Sequence, residues 1–126
     1  MKNAASFIAV LLFSAIGFAQ NGPKIEFAAP DNTIDYGKIS KSDSGLRSFE
    51  FTNTGDAPLM IIGAESTVSS IIVTKPSGAI QPGKKGKIDV KYNMATGPIR
   101  KTITVESNAV NYPDGRVALK IKGEVQ

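Results

Sequence analysis

The sequence predicts an all-β protein, a seven-stranded antiparallel β-sandwich made of two sheets. Short segments in which apolar and polar side chains alternate are separated by glycine, proline and asparagine, a pattern typical of strands joined by turns. No segment shows the spacing of apolar side chains that a helix requires. The chain of 126 residues is 41% hydrophobic, which is enough to bury one core without metals or disulfides.

Residues 1–19 have the composition of a secretory signal. Lys2 supplies a positive charge, residues 7–13 are almost wholly apolar, and small residues follow at Gly17 and Ala19. The apolar run is shorter than the roughly 20 residues that a membrane-spanning helix needs. The sequence therefore predicts a cleaved signal rather than an uncleaved membrane anchor.

Cleavage between Ala19 and Gln20 would leave residues 20–126 as one β-sandwich domain. The loss of Lys2 lowers the formal net charge from +4 to +3. The sequence contains no cysteine, so no lipid can be attached to a cysteine behind the signal. We therefore expect a soluble, exported protein without a membrane anchor, located in the periplasm or outside the cell.

The first predicted strand contains Ile25 and Phe27, which alternate with charged residues and so share one buried face. After an interruption at residues 28–32, Ile34 and Tyr36 again lie two positions apart. We interpret this second segment as a brief continuation of the first strand.

The next predicted strand carries Phe49 and Phe51 on one face. Leu46 is out of phase with both, which indicates either a bulge or a strand that begins near Gly45. Residues 53–56 read Asn-Thr-Gly-Asp, and these residue types tolerate left-handed backbone angles. The pattern predicts a tight turn that joins this strand to the following one in a hairpin-like unit.

The middle of the chain contains two shorter predicted strands. Residues 59–62 are apolar at every position, but four residues that end at Gly63 are too few for a helix. A β-branched run at residues 70–74 predicts a second strand. Residues 81–84 then predict a turn in which proline presets the backbone angle.

The last three predicted strands have the most regular alternation. The side chains predicted to be buried are Ile88, Val90, Tyr92, Ile103, Val105, Val117, Leu119 and Ile121. The positions between them carry mostly charged or hydroxyl side chains. Each of these strands should therefore have one solvated face.

The absence of histidine and cysteine from all 126 residues limits the possible chemistry. The usual general base, the thiol nucleophile and the usual zinc ligands are missing. Asp31 and Asp35 could act as paired carboxylates or, with Asn32, bind calcium through oxygen. Acidic residues beside turns more often cap the backbone, and the spacing is not that of a dedicated calcium loop. We expect a protein that is not an enzyme and has no cofactor.

Residues 84–87, which read Lys-Lys-Gly-Lys, are the densest basic stretch. This stretch could contact nucleic acid or an anionic surface, or it could simply keep the protein soluble. Lys87, Asp89 and Lys91 mix charges along one strand, and no aromatic side chains are interleaved with the bases. No helix is predicted after Gly83, so this turn is not a phosphate-binding loop. We expect no nucleic-acid partner.

Four segments, in this order, resemble the bacterial secreted proteins of the domain of unknown function 1573 family. They are residues 34–39, 49–59, 80–88 and 101–108, and they include the Phe-Glu-Phe-Thr-Asn-Thr-Gly and Pro-Gly-x-x-Gly sequences. The family is similar to the immunoglobulin-like domains of the major sperm protein and hydin type, which implies an immunoglobulin-like sandwich used for binding. Many relatives carry Cys-Gly-Cys near residues 68–70. This chain has Val-Ser-Ser there, so no redox or metal-binding role of those cysteines carries over.

Two functions from different classes remain open. The first is an exported binding or scaffolding module that recognises a protein or a cell-envelope component. The second is a structural subunit or chaperone-like component of a surface fibre, in which a sheet edge accepts or donates a strand. Residues 20–24 are too few to serve as a donor strand, which favours the first function.

Met60 and Ile62 form a candidate partner contact. They lie on the face of their strand opposite Leu59 and Ile61, and one face of this strand has to point away from the core. An apolar pair on an outer face would mark a contact surface. The alternative is that neighbouring side chains, or residues 66–74, cover the pair.

Overall fold

A computed structural model describes residues 21–126, which form eight β-strands in two sheets. The predicted signal and its cleavage point between Ala19 and Gln20 lie outside the described residues. The strands are β1 (Ile25–Phe27), β2 (Thr33–Ile39), β3 (Leu46–Asn53), β4 (Ile61–Ser66), β5 (Ile72–Thr74), β6 (Lys85–Lys91), β7 (Gly97–Ser107) and β8 (Arg116–Val125). Between residues 21 and 126, no helix is long and apolar enough to cross a membrane.

The all-β prediction is confirmed, but the predicted number of seven strands is one too low. The difference arises because β2 does not continue β1 and instead belongs to the other sheet. A short 3-10 turn at Pro30–Asn32 separates the two strands, with φ angles of 51° at Asp31 and 55° at Asn32. This left-handed backbone redirects the chain, and the alternation of apolar residues does not reveal it.

The first sheet has the strand order β1-β3-β6-β5, and the second has the order β2-β8-β7-β4. Neighbouring strands are antiparallel except that β2 runs parallel to β8, with Thr33 opposite Lys120 and Ile39 opposite Val125. The prediction of a purely antiparallel sandwich is therefore wrong at one edge of the second sheet. Alternation indicates which side chains point inward, but it carries no information about the direction of the neighbouring strand.

The core lies between the two sheets. The ring centroid of Phe27 is 5.6 Å from that of Phe51 and 6.4 Å from that of Phe49, so three aromatic rings pack together in the first sheet. All eight side chains predicted to be buried in the last three strands are buried. The inward faces assigned from the sequence are therefore confirmed.

The segment after β3 is not a hairpin. β3 pairs with β1 and β6, whereas β4 pairs with β7 in the opposite sheet, so residues 54–60 connect the two sheets. Gly55 does not have a left-handed backbone. A Cβ atom at Gly55 would instead overlap the carbonyl oxygen of Gly22. Glycine is required here because the N-terminal segment approaches closely.

The start of β3 resolves the position of Leu46. The strand begins at Leu46, directly after Gly45 with its φ angle of 76°, and its pairing with β6 is continuous from that residue. Leu46 therefore starts the strand and is not part of a bulge.

Candidate protein-binding edge

Met60 and Ile62 are exposed where the chain enters β4. Met60 retains 41% and Ile62 retains 62% of its accessible surface, whereas Leu59 and Ile61 are buried. Residues 66–74 therefore do not cover the pair. The hypothesis that the pair contacts a partner stays a prediction.

Hydrogen bonds on both sides of Met60 hold this part of the chain in place. Leu59 and Ile80 exchange two backbone hydrogen bonds of 2.9 and 2.8 Å. The Met60 N–H donates to Oδ1 of Asn108 at 2.8 Å, and the Met60 carbonyl accepts from the Asn108 N–H at 3.2 Å. With Leu59 held in the core, the alternation of an extended chain places Met60 on the outside.

Ile62 lies in a β-bulge. Ile61 is opposite Ser107 and Gly63 is opposite Glu106, so Ile62 is an extra residue without a partner on β7. The bulge leaves the Ile62 side chain in solvent. Because residues 59–62 are apolar at every position, the sequence alone does not indicate where the bulge falls.

β4 and β5 are edge strands that lie next to each other on the same side of the sandwich. Two adjoining concavities, of about 330 and 350 Å³, lie beside them and share Ala64, Glu65 and Val73. Ala64 and Val73 are half-buried and pack against the core. An open strand edge beside concavities with a partly apolar floor is the geometry that an extended peptide requires.

β4 is less protected against strand addition than β2, the other edge of the same sheet. β2 carries Asp35 and Lys38 with a register shift between them, features that discourage pairing with another chain. The sequence of β4 has one charged side chain, Glu65. Its bulge interrupts pairing near Ile62, but residues 63–66 keep a regular register with β7. These four residues form the part of the edge that a partner strand can use.

The titratable side chains with displaced pKa values lie away from this edge, around Tyr36. Burial raises the pKa of Tyr36 to about 12, although the nearby charge of Arg47 opposes the rise. The hydrogen bond from Arg47 holds the pKa of Asp43 below its usual value, and the same contact raises the pKa of Arg47. At neutral pH, Arg47 and Asp43 form an ion pair beside the neutral phenol of Tyr36. We interpret this group as a contact that stabilises the fold.

The backbone at the start of β2 is shaped by three polar residues, Asp31, Asn32 and Asp35. Asp31 and Asn32 form the left-handed turn before β2, and Oδ1 of Asp35 accepts the N–H of Gly37 at 2.9 Å. In the part of the chain that the structure describes, no three His, Cys, Asp or Glu side chains are grouped so that they could hold a metal ion. The expectation that the protein has no cofactor stays a prediction.

The basic stretch at residues 84–87 begins in the predicted turn. The Lys84 N–H donates to the Gln81 carbonyl at 2.9 Å, and Gly83 has a φ angle of 81°, which confirms the turn at residues 81–84. Lys87 lies on the outer face of β6 opposite Glu50. Positive and negative charges are therefore mixed on this face, as expected for a solvated surface. The absence of a nucleic-acid partner stays a prediction.

Sequence reasoning missed two features of the surface. One is the pair of concavities beside β4. The other is a group of three basic side chains, Arg100, Lys120 and Lys122, on the outer face of the second sheet. These bases come from two strands, and only the strand register brings them together. No local sequence signal marks either feature.

Two packed sheets in this order define an immunoglobulin-like β-sandwich. Residues 26–125 match the family described as "Protein of unknown function (DUF1573)". The chain belongs to this family, so the resemblance noted from the sequence is confirmed. A comparison with curated proteins finds no match.

Solved structures show the same fold. A protein of unknown function from Porphyromonas gingivalis W83 has a TM-score of 0.69 and 16% identity, covering 84% of this chain and 48% of its own. The YadV chaperone has a TM-score of 0.60 and 12% identity, covering 82% of this chain and 52% of its own. WR4, a C. elegans member of the MSP family, has a TM-score of 0.51 and 14% identity, covering 84% of this chain and 99% of its own. This chain spans about half the length of the first two, and identities this low show the fold alone.

Proposed function

We propose that this protein is an exported, non-catalytic binding module that recognises a protein or a cell-envelope component, and that a protein partner binds along β4. The exposure of Ile62, which retains 62% of its accessible surface beside an open strand edge, is the observation that carries this proposal. Isolated exposed apolar residues are common on protein surfaces. Here Met60 lies two positions away and two concavities adjoin the same strand, so the apolar residue is part of a larger surface.

In this proposal, an extended segment of the partner adds to β4 at residues 63–66. Backbone N–H and C=O groups that β7 does not use pair with the incoming strand. Alternate side chains of that strand enter the concavities around Ala64 and Val73. Met60 and Ile62 contact apolar side chains of the partner, so that apolar burial adds to the backbone hydrogen bonds.

Two features of the whole sequence support the other two parts of the proposal, export and a non-catalytic function. The charge and apolar run of residues 1–19 support export. The lack of histidine and cysteine supports a non-catalytic function, because the most frequent general base and the strongest side-chain nucleophile are missing.

A second candidate function is a chaperone-like component or structural subunit of a surface fibre. The TM-score of 0.60 to the YadV chaperone favours it, and strand addition at β4 would serve this function as well. The two candidates differ in the complexes that they form. A binding module gives a discrete complex, whereas a fibre subunit gives polymers on a sizing column.

Site-specific photo-cross-linking in exporting cells tests the proposed function. Benzoylphenylalanine in place of Ile62 should cross-link to one discrete protein, which mass spectrometry then identifies. The matched control places the same group at Leu46, an apolar residue of the other sheet that is 50% exposed. Equal cross-linking at both positions, or none at Ile62, would contradict binding along β4.

A further inference from the structure

The register between β7 and β8 collects three basic side chains on the outer face of the second sheet. Arg100 on β7 lies directly opposite Lys122 on β8, and Lys120 occupies the same face two residues earlier. All three are exposed. Like charges directly opposite each other in an antiparallel pair are destabilising, so the stability of the fold does not account for this arrangement.

Within residues 21–126, none of these three side chains forms an ion pair shorter than 4.0 Å. The ion pairs within 4.0 Å among residues 21–126 are Arg47 with Asp43 and Arg116 with Glu106. Asp35 on β2 lies opposite Lys122 and keeps its negative charge, although its Oδ1 accepts the backbone N–H of Gly37 at 2.9 Å. Three positive charges and the one negative charge of Asp35 leave this face with a net charge of +2.

An open concavity of about 360 Å³ lies among these side chains. Its lining includes the three bases and the half-buried Thr33 and Thr102. The Thr33 hydroxyl donates to the carbonyl of Asp31 at 3.0 Å, so Thr102 supplies the hydroxyl donor. A net charge of +2 with a neutral donor matches a doubly charged oxyanion better than a single carboxylate, whose charge one cation would balance.

We propose that this face is a binding site for a phosphate-bearing ligand. The planar guanidinium of Arg100 binds two phosphate oxygens, and the ammonium groups of Lys120 and Lys122 balance the remaining charge. The hydroxyl of Thr102 donates to a further oxygen. This site uses different residues from the β4 edge, so it does not depend on the proposed function.

A titration of the exported, ¹⁵N-labelled protein with inorganic phosphate tests this site by two-dimensional NMR. Sodium chloride at matched ionic strength is the control for non-specific screening. A second arm measures sedimentation with phosphatidylcholine vesicles, with and without phosphatidic acid, and so separates a free phosphate group from a lipid headgroup. The test variant is R100Q/K122Q, and the matched control is K85Q/K87Q, which removes the same charge from the outer face of β6.

We expect saturable shifts at Thr102 and Lys120 with phosphate and not with sodium chloride. R100Q/K122Q should weaken binding by about tenfold or more, as expected from the loss of charge-assisted hydrogen bonds, while K85Q/K87Q should not. Binding to phosphatidic acid vesicles alone, with the same loss in R100Q/K122Q, would support the site and assign the phosphate to a lipid. Absence of saturable binding in both arms, or equal weakening in the two variants, would overturn the proposal.

Discussion

The guanidinium carbon of Arg47 lies 4.4 Å from the centroid of the Tyr36 ring, within the range of a cation–π contact. Arg47 also pairs with Asp43 at 3.2 Å. On the buried side, the Tyr36 hydroxyl donates to the carbonyl of Gly45 at 2.8 Å. Tyr36 on β2 therefore contacts both Gly45 in the loop between β2 and β3 and Arg47 on β3 of the other sheet.

Tyr36 should make the stability depend on pH in alkaline solution. Its pKa in the folded protein is about 12, above the value of about 10 in an unfolded chain, so the folded state holds this proton more tightly. The resulting stabilisation is complete below about pH 10 and is lost as the pH rises through about 12. It corresponds to a fall in the free energy of unfolding on the order of 2–3 kcal/mol. Urea melts across this pH range measure it.

The control for this prediction is a pair of phenylalanine variants. Tyr36→Phe should remove this part of the pH dependence and cost about 1–2 kcal/mol at neutral pH, because the hydrogen bond to Gly45 is lost. Tyr112→Phe, at a half-buried position, should keep the pH dependence. If Tyr36→Phe kept it as well, the assignment to Tyr36 would be wrong.

Asn53→Ala should destabilise the protein by about 3 kcal/mol. Asn53 is fully buried. Its Nδ2 donates to the carbonyls of Ala57 and Ile80, both at 2.8 Å, and its Oδ1 accepts from the N–H groups of Gly55 at 2.9 Å and Lys24 at 3.3 Å. Truncation leaves several of these buried groups unpaired, at a cost of about 1–3 kcal/mol each when relaxation is incomplete. Thermal and urea melts measure the change.

The exposed Asn93 is the matched control for Asn53. Its Nδ2 donates to Oγ of Ser70 at 2.9 Å in solvent, where water can replace the bond, so Asn93→Ala should cost about 1 kcal/mol or less. Similar losses of stability in the two variants would show that the hydrogen bonds of Asn53 do not stabilise the connection between the two sheets.

The role of Asn53 shows which parts of this structure the sequence could predict. The inward positions of Ile88 and Val90 follow from local alternation, since each strand has to bury one face. The hairpin predicted after β3 was wrong, because residue types alone do not show that β4 pairs in the other sheet. Asn53 forms a hydrogen bond with Ile80, which lies 27 residues further along the chain. No pattern of neighbouring residues predicts a contact across that separation in sequence. The same limit applies to sheet order, because pairing between distant strands decides it.

The candidate site shows a similar division. The sequence identified Met60 and Ile62 as a candidate contact because both faces of their strand are apolar and only one can face the core. It did not show the bulge that exposes Ile62, because a bulge depends on the register with β7. The opposition of Arg100 and Lys122 likewise exists only once β7 and β8 pair. Local patterns therefore predicted the faces of strands, and the surfaces built across strands required the structure.

Phe51→Ala should cost about 3–5 kcal/mol, because Phe51 is 1% exposed and packs 5.6 Å from the ring of Phe27. Lys84→Ala, at an exposed turn position, should stay within about 0.5 kcal/mol of the parent. Urea melts of the two variants measure the difference. Equal midpoints would mean that the inside and outside of this part of the fold are assigned incorrectly.

The exported protein should begin at Gln20. The small residues Gly17 and Ala19 precede this point at the end of the apolar run, as a signal peptidase requires. The intact mass of the protein recovered after export measures the cleavage. A mass that includes residues 1–19 would rule out a cleaved signal.

The double change Met60→Ser and Ile62→Thr should separate binding from folding. Met60 and Ile62 are 41% and 62% exposed, so their replacement should change the free energy of unfolding by about 1 kcal/mol or less. The partner that cross-links at position 62 should no longer be retained. Leu46→Thr is the matched control, because it removes an apolar residue that is 50% exposed from the first sheet, away from β4 and β5. A large loss of stability in the Met60 and Ile62 variant would place the pair in the core. Equal loss of partner in both variants would mean that general surface hydrophobicity, rather than the β4 edge, retains the partner.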